Sequence, residues 1–490
     1  MTRLSKSRFI SGWQCHLKLW YDVHRRDLKP EPDAALQAIF DTGHQVGDLA
    51  QQRWPGGVLV DGPHWAVERA EARTQELLND PSVPAIYEAA IVHRGALTRV
   101  DVLVRHPDGS WDLVEVKSST RVKEPYDTDL ALQYWILQGA GLRLRRAGVL
   151  VLNRDYVYPG GELDLQTLFR FEDLTALCEA RLDEIGAQVD ELQQVMQRFE
   201  PPAVAVGPHC HTPYDCPYYE HCSRDLPENA YPLTLLPRFR GSEIEQLAGE
   251  GIETLHELPA DYPLNDLQAR VRECIVNGRP WASPQLGKVL ADVQWPLYFL
   301  DFEAALSAIP RFAGTRPFEA VPFQFSCHIQ AHDGAAPEHT EYLHTQPSDP
   351  RRDLAQALLA VLGEQGSIVV YTGYEARMID SLAEALPDLA LRLRSLKPRL
   401  YDLHRVIVDH YCHPDFRGSY SIKAVLPALV PGMSYADMAI ADGMAAARAW
   451  LQMIDNHDPS RSQQLEAELR AYCQQDSLAM LKLREELTRA

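Results

Sequence analysis

Cys210, Cys216 and Cys222 stand in one short stretch with five residues between neighbours, and Cys15, far upstream, offers a fourth thiolate. Thiolates hold iron–sulfur clusters, and a 4Fe-4S centre needs four of them. His209, His211 and His221 flank the three cysteines. A zinc site of mixed sulfur and nitrogen ligands is therefore the rival, and free buried thiols are the third reading. Between Cys15 and the cluster lie Asp101, Glu115 and Lys117, with Glu88 as a further carboxylate. Two acids beside a lysine suit a phosphodiesterase that uses Mg²⁺ or Mn²⁺. The acids hold a hard cation through oxygen. The metal polarises the scissile phosphate and lowers the pKa of the attacking water, which the lysine orients. A second acid set comprises Asp301, Glu303, Glu375 and Asp476, with Asp402 as an alternative to Glu375. For every one of these acids the alternative is an ordinary solvated or ion-paired charge.

The elements that must place these groups can be read from local pattern. Val100 to Arg105 and Trp111 to Lys117 read as two strands joined by a turn at His106-Pro107-Asp108-Gly109-Ser110, and Asp-Gly between apolar runs signals a hairpin. Alternation puts Glu115 and Lys117 on one face, within reach of Asp101 on the partner strand. Trp295 to Phe302 reads as a strong strand, with Phe299, Asp301 and Glu303 sharing a face. Tyr472 and Asp476 are four apart on a helical pattern and so lie together. Leu400 to Leu403 reads as a strand carrying Asp402, and Lys423 opens a helix. Residues 201–208 form a proline-rich loop leading into the cysteines. The pattern predicts an α/β chain of three parts: 1–225 with the cysteines and first acids, a small helical connector over 226–290, and 291–490 with the second acids.

At 490 residues the chain has room for two or three domains. Its 46% hydrophobic and 24% charged residues are those of a soluble globular protein. No run reaches the roughly 18–20 apolar residues a membrane span needs. Nine cysteines are too few for a disulfide framework, and the cytoplasm is the expected compartment. A formal charge of −20 argues against a surface coated in positive charge for non-specific nucleic-acid binding. It leaves room for a narrow basic groove, with Arg143, Arg145 and Arg146, and Arg392, Arg394, Lys397 and Arg399, as local candidates.

Ser7-Arg8-Phe9 through Cys15, Gly43 to Ala50, Asp101, Glu115-Val116-Lys117 and Gln133-Tyr134 together resemble the PD-(D/E)XK nucleases of the RecB type. Within them the likeness is to the iron–sulfur branch that holds the CRISPR adaptation nuclease and AddB-type nuclease domains. The resemblance implies metal binding by Glu88, Asp101 and Glu115, catalytic assistance from Lys117, and Gln133 beside the substrate. It also implies Cys15, Cys210, Cys216 and Cys222 as the ligands of a structural 4Fe-4S cluster. Gly47 and Leu137 stand where many members have histidine and tyrosine, with His44 near the first of these positions.

Asp301-x-Glu303 is similar to the opening motif of RNase H-like 3′–5′ exonucleases of the DnaQ type, and Tyr472 to Asp476 to their closing motif. Val370 to Glu375 resembles the middle motif, with Thr372 and Glu375 in place of asparagine and aspartate. That likeness implies two divalent ions about 3.5–4 Å apart, held by Asp301, Glu303, Glu375 and Asp476, with Tyr472 positioning the water. Gly249 and Gly251 give the connector a likeness to helix-hairpin-helix elements. The order of parts resembles a bacterial family of predicted nucleases known mainly by sequence. The expectation is a two-site nuclease acting on DNA, in repair or in defence against foreign DNA. A nucleic-acid-binding scaffold with inactive sites and an RNA-processing exonuclease are the alternatives.

Overall fold

Residues 3–63, 65–224, 231–436 and 438–489 are described in a computed structural model, where the chain is α/β and forms two compact units. The first comprises 1–226 with 308–318, and the second 227–307 with 319–490. Residues 226–290 thus fall almost wholly in the second unit, while 308–318, expected with the C-terminal part, belong to the first. There Ala308 is buried, with Ile309 and Phe318 packed about the same core cluster, and Gly314 donates its N–H to the Tyr158 carbonyl at 2.7 Å. The expected boundary at 225/226 lies outside the described residues.

In the first unit β1 (Leu4–Ser5) runs straight into α1 (Lys6–Gln14), whose N-terminus is capped by the Ser5 hydroxyl accepting the Arg8 N–H. Cys15 is extended, with φ −162°, and breaks α1 from α2 (His16–His24). Next come α3 (Ala34–Gln51), β2 (Val58–Leu59), α4 (Val67–Asn79), β3 (Ala85–His93), β4 (Ala96–Arg105), β5 (Trp111–Lys117), α5 (Tyr126–Gly139), β6 (Leu144–Leu152) and β7 (Phe169–Asp173). β2 to β7 are neighbours in chain order within one mixed sheet, and β1 pairs with the start of β4. The β4–β5 hairpin closes at Gly109, whose φ of +77° favours a residue without a Cβ. Leu103 and Leu113 face one core with α5, and Val102 and Val114 face the other. Each fully buried aliphatic side chain of this kind contributes about 1.5–3 kcal/mol.

The second unit has two short strands, β8 (Trp281–Ala282) and β14 (Tyr411–Cys412), paired apart from its main sheet. The main sheet has the order β11-β10-β9-β12-β13, from β9 (Leu297–Leu306), β10 (Ala320–Gln330), β11 (Glu338–Leu343), β12 (Ser367–Val370) and β13 (Leu400–Asp402). β9 to β11 form an antiparallel meander, and β12 and β13 add in parallel. One face, with Leu300, Phe302 and Phe325, packs on helices Arg351–Val361 and Tyr374–Ala385. The other carries Asp301 and Glu303 opposite Ser326 and Gln324.

A 31-residue helix, Pro459–Arg489, is fastened to that second face by buried polar groups. Gln324 Nε2 donates to the Leu469 carbonyl at 3.0 Å, and the Ser477 hydroxyl meets Ser326 Oγ at 2.7 Å and His328 Nδ1 at 2.8 Å. Burial pushes the His328 pKa down to about 4, so its ring stays neutral and fits this uncharged network. The connector region contains helices Gly241–Gly249 and Asp266–Asn277. Among the described residues no helix is long and apolar enough to cross a membrane.

Candidate functional site

Cys15, Cys210, Cys216 and Cys222 line one cavity, together with Lys18 and Tyr21. None is in a disulfide. Cys210 ends a 3₁₀ turn, Pro208–Cys210, and Cys222 lies on the short helix Tyr219–Ser223. The loop is drawn back to α1 by Gln14, whose Nε2 donates to the carbonyls of His209 at 2.7 Å and Tyr214 at 2.6 Å. Burial pushes the Cys210, Cys216 and Cys222 thiols up, so any metal centre here must release their protons. Lys18 is buried beside them. Its ammonium donates to the neutral Gln14 Oε1 at 2.6 Å, and burial lowers its pKa against the pull of Cys216, Asp22 and Cys15. A buried cation whose hydrogen-bond acceptor is neutral is best matched by ionised sulfur nearby. Of the flanking histidines, His209 Nε2 lies 3.7 Å from Cys210 Sγ, whereas His211 bonds Asp215 and His221 accepts from Arg224.

At the first acid site, α1, β4, β5 and α5 each deliver a charged group. Glu115 Oε1 accepts from Lys117 at 2.6 Å and from Lys6 at 2.8 Å, and its Oε2 from Gln133 Nε2 at 2.6 Å. Lys117 also donates to Asp129 Oδ2 at 2.8 Å, and Gln133 to Asp129 Oδ1 at 3.2 Å. Asp101 Oδ2 accepts the Val116 N–H at 2.7 Å. Burial opposes the charge on Glu115, yet Lys117 and Lys6 outweigh it and hold the carboxyl well below its usual range. Burial and the Glu115 charge together raise Asp101 to about 7. Glu88 lies opposite Asp101 in the β3–β4 register and has a left-handed φ of +55°, a strained conformation for a non-glycine residue.

Lys6 and Asp129 were not foreseen. Asp129 precedes Gln133 by one helical turn, a spacing visible in the sequence. Lys6 arrives from 109 residues away, with no local signal. His44 is exposed on α3, and Leu137 is buried in the α5 core. Of the arginines named as local basic candidates, Arg145 and Arg146 both bond Asp112, and Arg143 bonds Asp108. Arg399 donates to the carbonyls of Leu362, Gly363, Gln365 and Gly366, and Lys397 pairs with Asp380.

At the second acid site β9 supplies Asp301 and Glu303 and the long helix supplies Asp476. One oxygen from each lies within 4.8 Å of the others, the one such set of metal-ligand atoms among the described residues. Glu88, Asp101 and Glu115 are not gathered in this way, and neither are the four thiols around their cavity. Burial and mutual repulsion push Asp301 and Glu303 far up. Asp476 rises to about 6 by burial, restrained by hydrogen bonds from Tyr435 and Tyr472 and by the Lys423 charge. The Tyr435 hydroxyl donates to Asp476 Oδ1 at 2.5 Å.

Glu375 is buried at the start of helix Tyr374–Ala385, and its Oε2 has no hydrogen-bond partner. Burial raises its pKa to about 8, with repulsion from Asp402 and Asp476 adding to the effect. Three residues earlier Thr372 is left-handed, with φ +91°. Asp402 is committed elsewhere, capping helix Leu403–His410 by accepting the Arg405 N–H at 3.0 Å. Lys423 Nζ donates to the Ala441 carbonyl at 2.5 Å. Tyr435 had no signal in the sequence.

Residues 298–421 match a family described as a domain of unknown function (DUF2779). The match takes in Asp301, Glu303, Glu375 and Asp402 and stops short of Tyr472 and Asp476. No curated protein matches the chain.

Proposed function

We propose that the chain is a Mg²⁺- or Mn²⁺-dependent DNA nuclease with two phosphodiesterase sites, working in DNA repair or defence against foreign DNA. On this reading the first unit is a PD-(D/E)XK-type nuclease clasped by a 4Fe-4S cluster on Cys15, Cys210, Cys216 and Cys222. The second carries an RNase H-like 3′–5′ exonuclease. The observation that supports it most is the trio of half-buried Asp301 and buried Glu303 and Asp476, whose oxygens lie within 4.8 Å of one another, with a fourth acid, Glu375, holding an unpartnered oxygen. Buried carboxylates so crowded are costly unless a cation joins them.

Divalent metal bound there supplies Lewis acidity to the phosphate and a more acidic water. The chain's own residues do the rest. Asp301, Glu303 and Asp476 hold the ion, with Glu375 completing the oxygen set. The Tyr472 hydroxyl, on the same helix face as Asp476, orients the water. Its oxygen bonds to phosphorus, the phosphorus bond to the 3′ oxygen breaks, and that oxygen takes up a proton. In the first site Asp101, Glu115 and Glu88 would hold metal, with Lys117 and Gln133 beside the reacting phosphate. Both oxygens of Glu115 already accept hydrogen bonds from the protein. That observation favours, for this site alone, the second reading of a scaffold without catalysis.

The test is an end-labelled single strand digested by the parent, Asp101→Ala, Asp301→Ala and the double variant. Asp301→Ala should stop stepwise 3′ removal and Asp101→Ala a separate cleavage pattern. A double variant as fast as the parent would leave neither site catalytic. Iron and zinc analysis with a visible spectrum of anaerobically purified protein decides the thiol centre: zinc in place of iron and sulfide would overturn the cluster.

A further inference from the structure

Lys6 occupies an expensive position. It is the first residue of α1, where the helix dipole is positive and disfavours a cation. Helix formation therefore does not account for a lysine there, and the acids it meets do. Its ammonium lies 2.8 Å from Glu115 Oε1 and 3.7 Å from Asp129 Oδ2, and both carboxylates are nearly sealed from solvent. Lys117 belongs to the same strand as Glu115 and is fixed by it, reaching Asp129 as well. Lys6 comes from a separate element and has the more exposed side chain of the two lysines.

With both lysines in place, Glu115, Asp129 and Asp101 face two positive charges. Both oxygens of Glu115 already accept hydrogen bonds, so an ion entering on that carboxylate displaces an ammonium from Oε1 or meets its repulsion at contact distance. Lys117 is held at hydrogen-bond distance by both Glu115 and Asp129, whereas Lys6 reaches Asp129 only at 3.7 Å, so Lys6 is the less tightly held of the two and the one to withdraw.

We propose that Lys6 is a tethered cation that fills the first acid site and competes there with the divalent ion. Resting on the reading of these acids as a metal site, the proposal makes metal entry and Lys6 withdrawal one exchange. Lys6 is then a positioning residue that sets the metal concentration at which this site responds, without touching substrate.

The experiment uses the full chain, purified anaerobically, with Asp301→Ala and Asp476→Ala introduced so that bound Mn²⁺ reports the first site. Free Mn²⁺ is followed by electron paramagnetic resonance during titration. Adding Lys6→Met should tighten Mn²⁺ binding by at least about tenfold, since a unit charge at ion-pair distance is removed. Lys6→Arg keeps the charge and should stay within about threefold of the parent. If Lys6→Met fails to fold, Lys6→Gln keeps a donor of similar reach and gives the same comparison. Equal or weaker binding without the Lys6 charge overturns the proposal while leaving the metal site standing. No saturable Mn²⁺ with or without Lys6 overturns the site reading, and the proposal with it.

Discussion

At the first acid site Glu115 meets two ammonium groups, at 2.6 and 2.8 Å, and an amide N–H at 2.6 Å. At the second, Asp301, Glu303 and Asp476 crowd within 4.8 Å of one another, with Lys423 as the cation acting on Glu303 and Asp476. Both sets of acids draw on a sheet and on a helix packed against it, and both include a residue with left-handed backbone close by, Glu88 and Thr372. What separates them is where the counter-charge comes from. The first set carries its own; the second is left to find one. A self-neutralised site is stable empty and resists an incoming ion, whereas an uncompensated site is strained when empty and binds an ion readily. The same residue types thus give opposite responses to metal, acid and mutation.

The largest effect that would break this contrast concerns catalysis. Asp301→Ala should lower 3′-end release from a labelled single strand by at least about a thousandfold, as loss of a metal ligand does. A variant with near-parent rates would remove the reason for calling the second site the active one.

Next comes a difference of sign. Without metal, Glu115→Ala should destabilise the first unit by about 1–3 kcal/mol, because two half-buried lysines lose their nearest partner and keep only Asp129. Glu303→Gln should instead stabilise the second unit by about 1–2 kcal/mol, by relieving like-charge repulsion in a site kept for function. Urea unfolding in chelator, read by limited proteolysis of each unit, checks both. Equal signs would erase the distinction.

pH sharpens it further. Asp476 and Glu375 have folded pKa values of about 6 and about 8, above those of the unfolded chain. Between roughly pH 4 and 8 the folded metal-free unit therefore binds more protons than the unfolded one. Its stability is fully present below pH 4 and falls as pH rises through 8, while Mn²⁺ affinity climbs over the same window as protons leave. Calorimetric titration across this range should show proton release on binding. The smallest effect is expected of Tyr472→Phe: about a ten- to hundredfold slower 3′ release with a smaller loss of Mn²⁺ affinity, about severalfold, since the hydroxyl orients water and touches the metal only through its bond to Asp476.

How much of this was legible in sequence depended on the distance over which each contact is made. The 106–110 turn and the Glu115/Lys117 face followed from Asp-Gly and alternation, both local. The Tyr472–Asp476 pair followed from one helical turn. Lys6 was not readable, because its partner is 109 residues away and nothing near it marks a charge contact. Tyr435 is hidden for the same reason, 41 residues from Asp476. Asp402 looked like a spare ligand, but an aspartate at the start of a helix is drawn to the free N–H of the third residue beyond it, and that is where it is spent. The 308–318 segment was misplaced in sequence order because nothing in its composition says which core Ala308 and Phe318 will join.

The wide separation of the four thiols also has a meaning in time. Cys15 leaves the ribosome 195 residues ahead of Cys210, and at about 5–20 residues per second that is roughly 10–40 s. Through that interval the first thiol waits without the other three walls of its cavity. A cell that starves or oxidises a nascent chain would find this molecule most vulnerable at Cys15, the thiol made long before its partners.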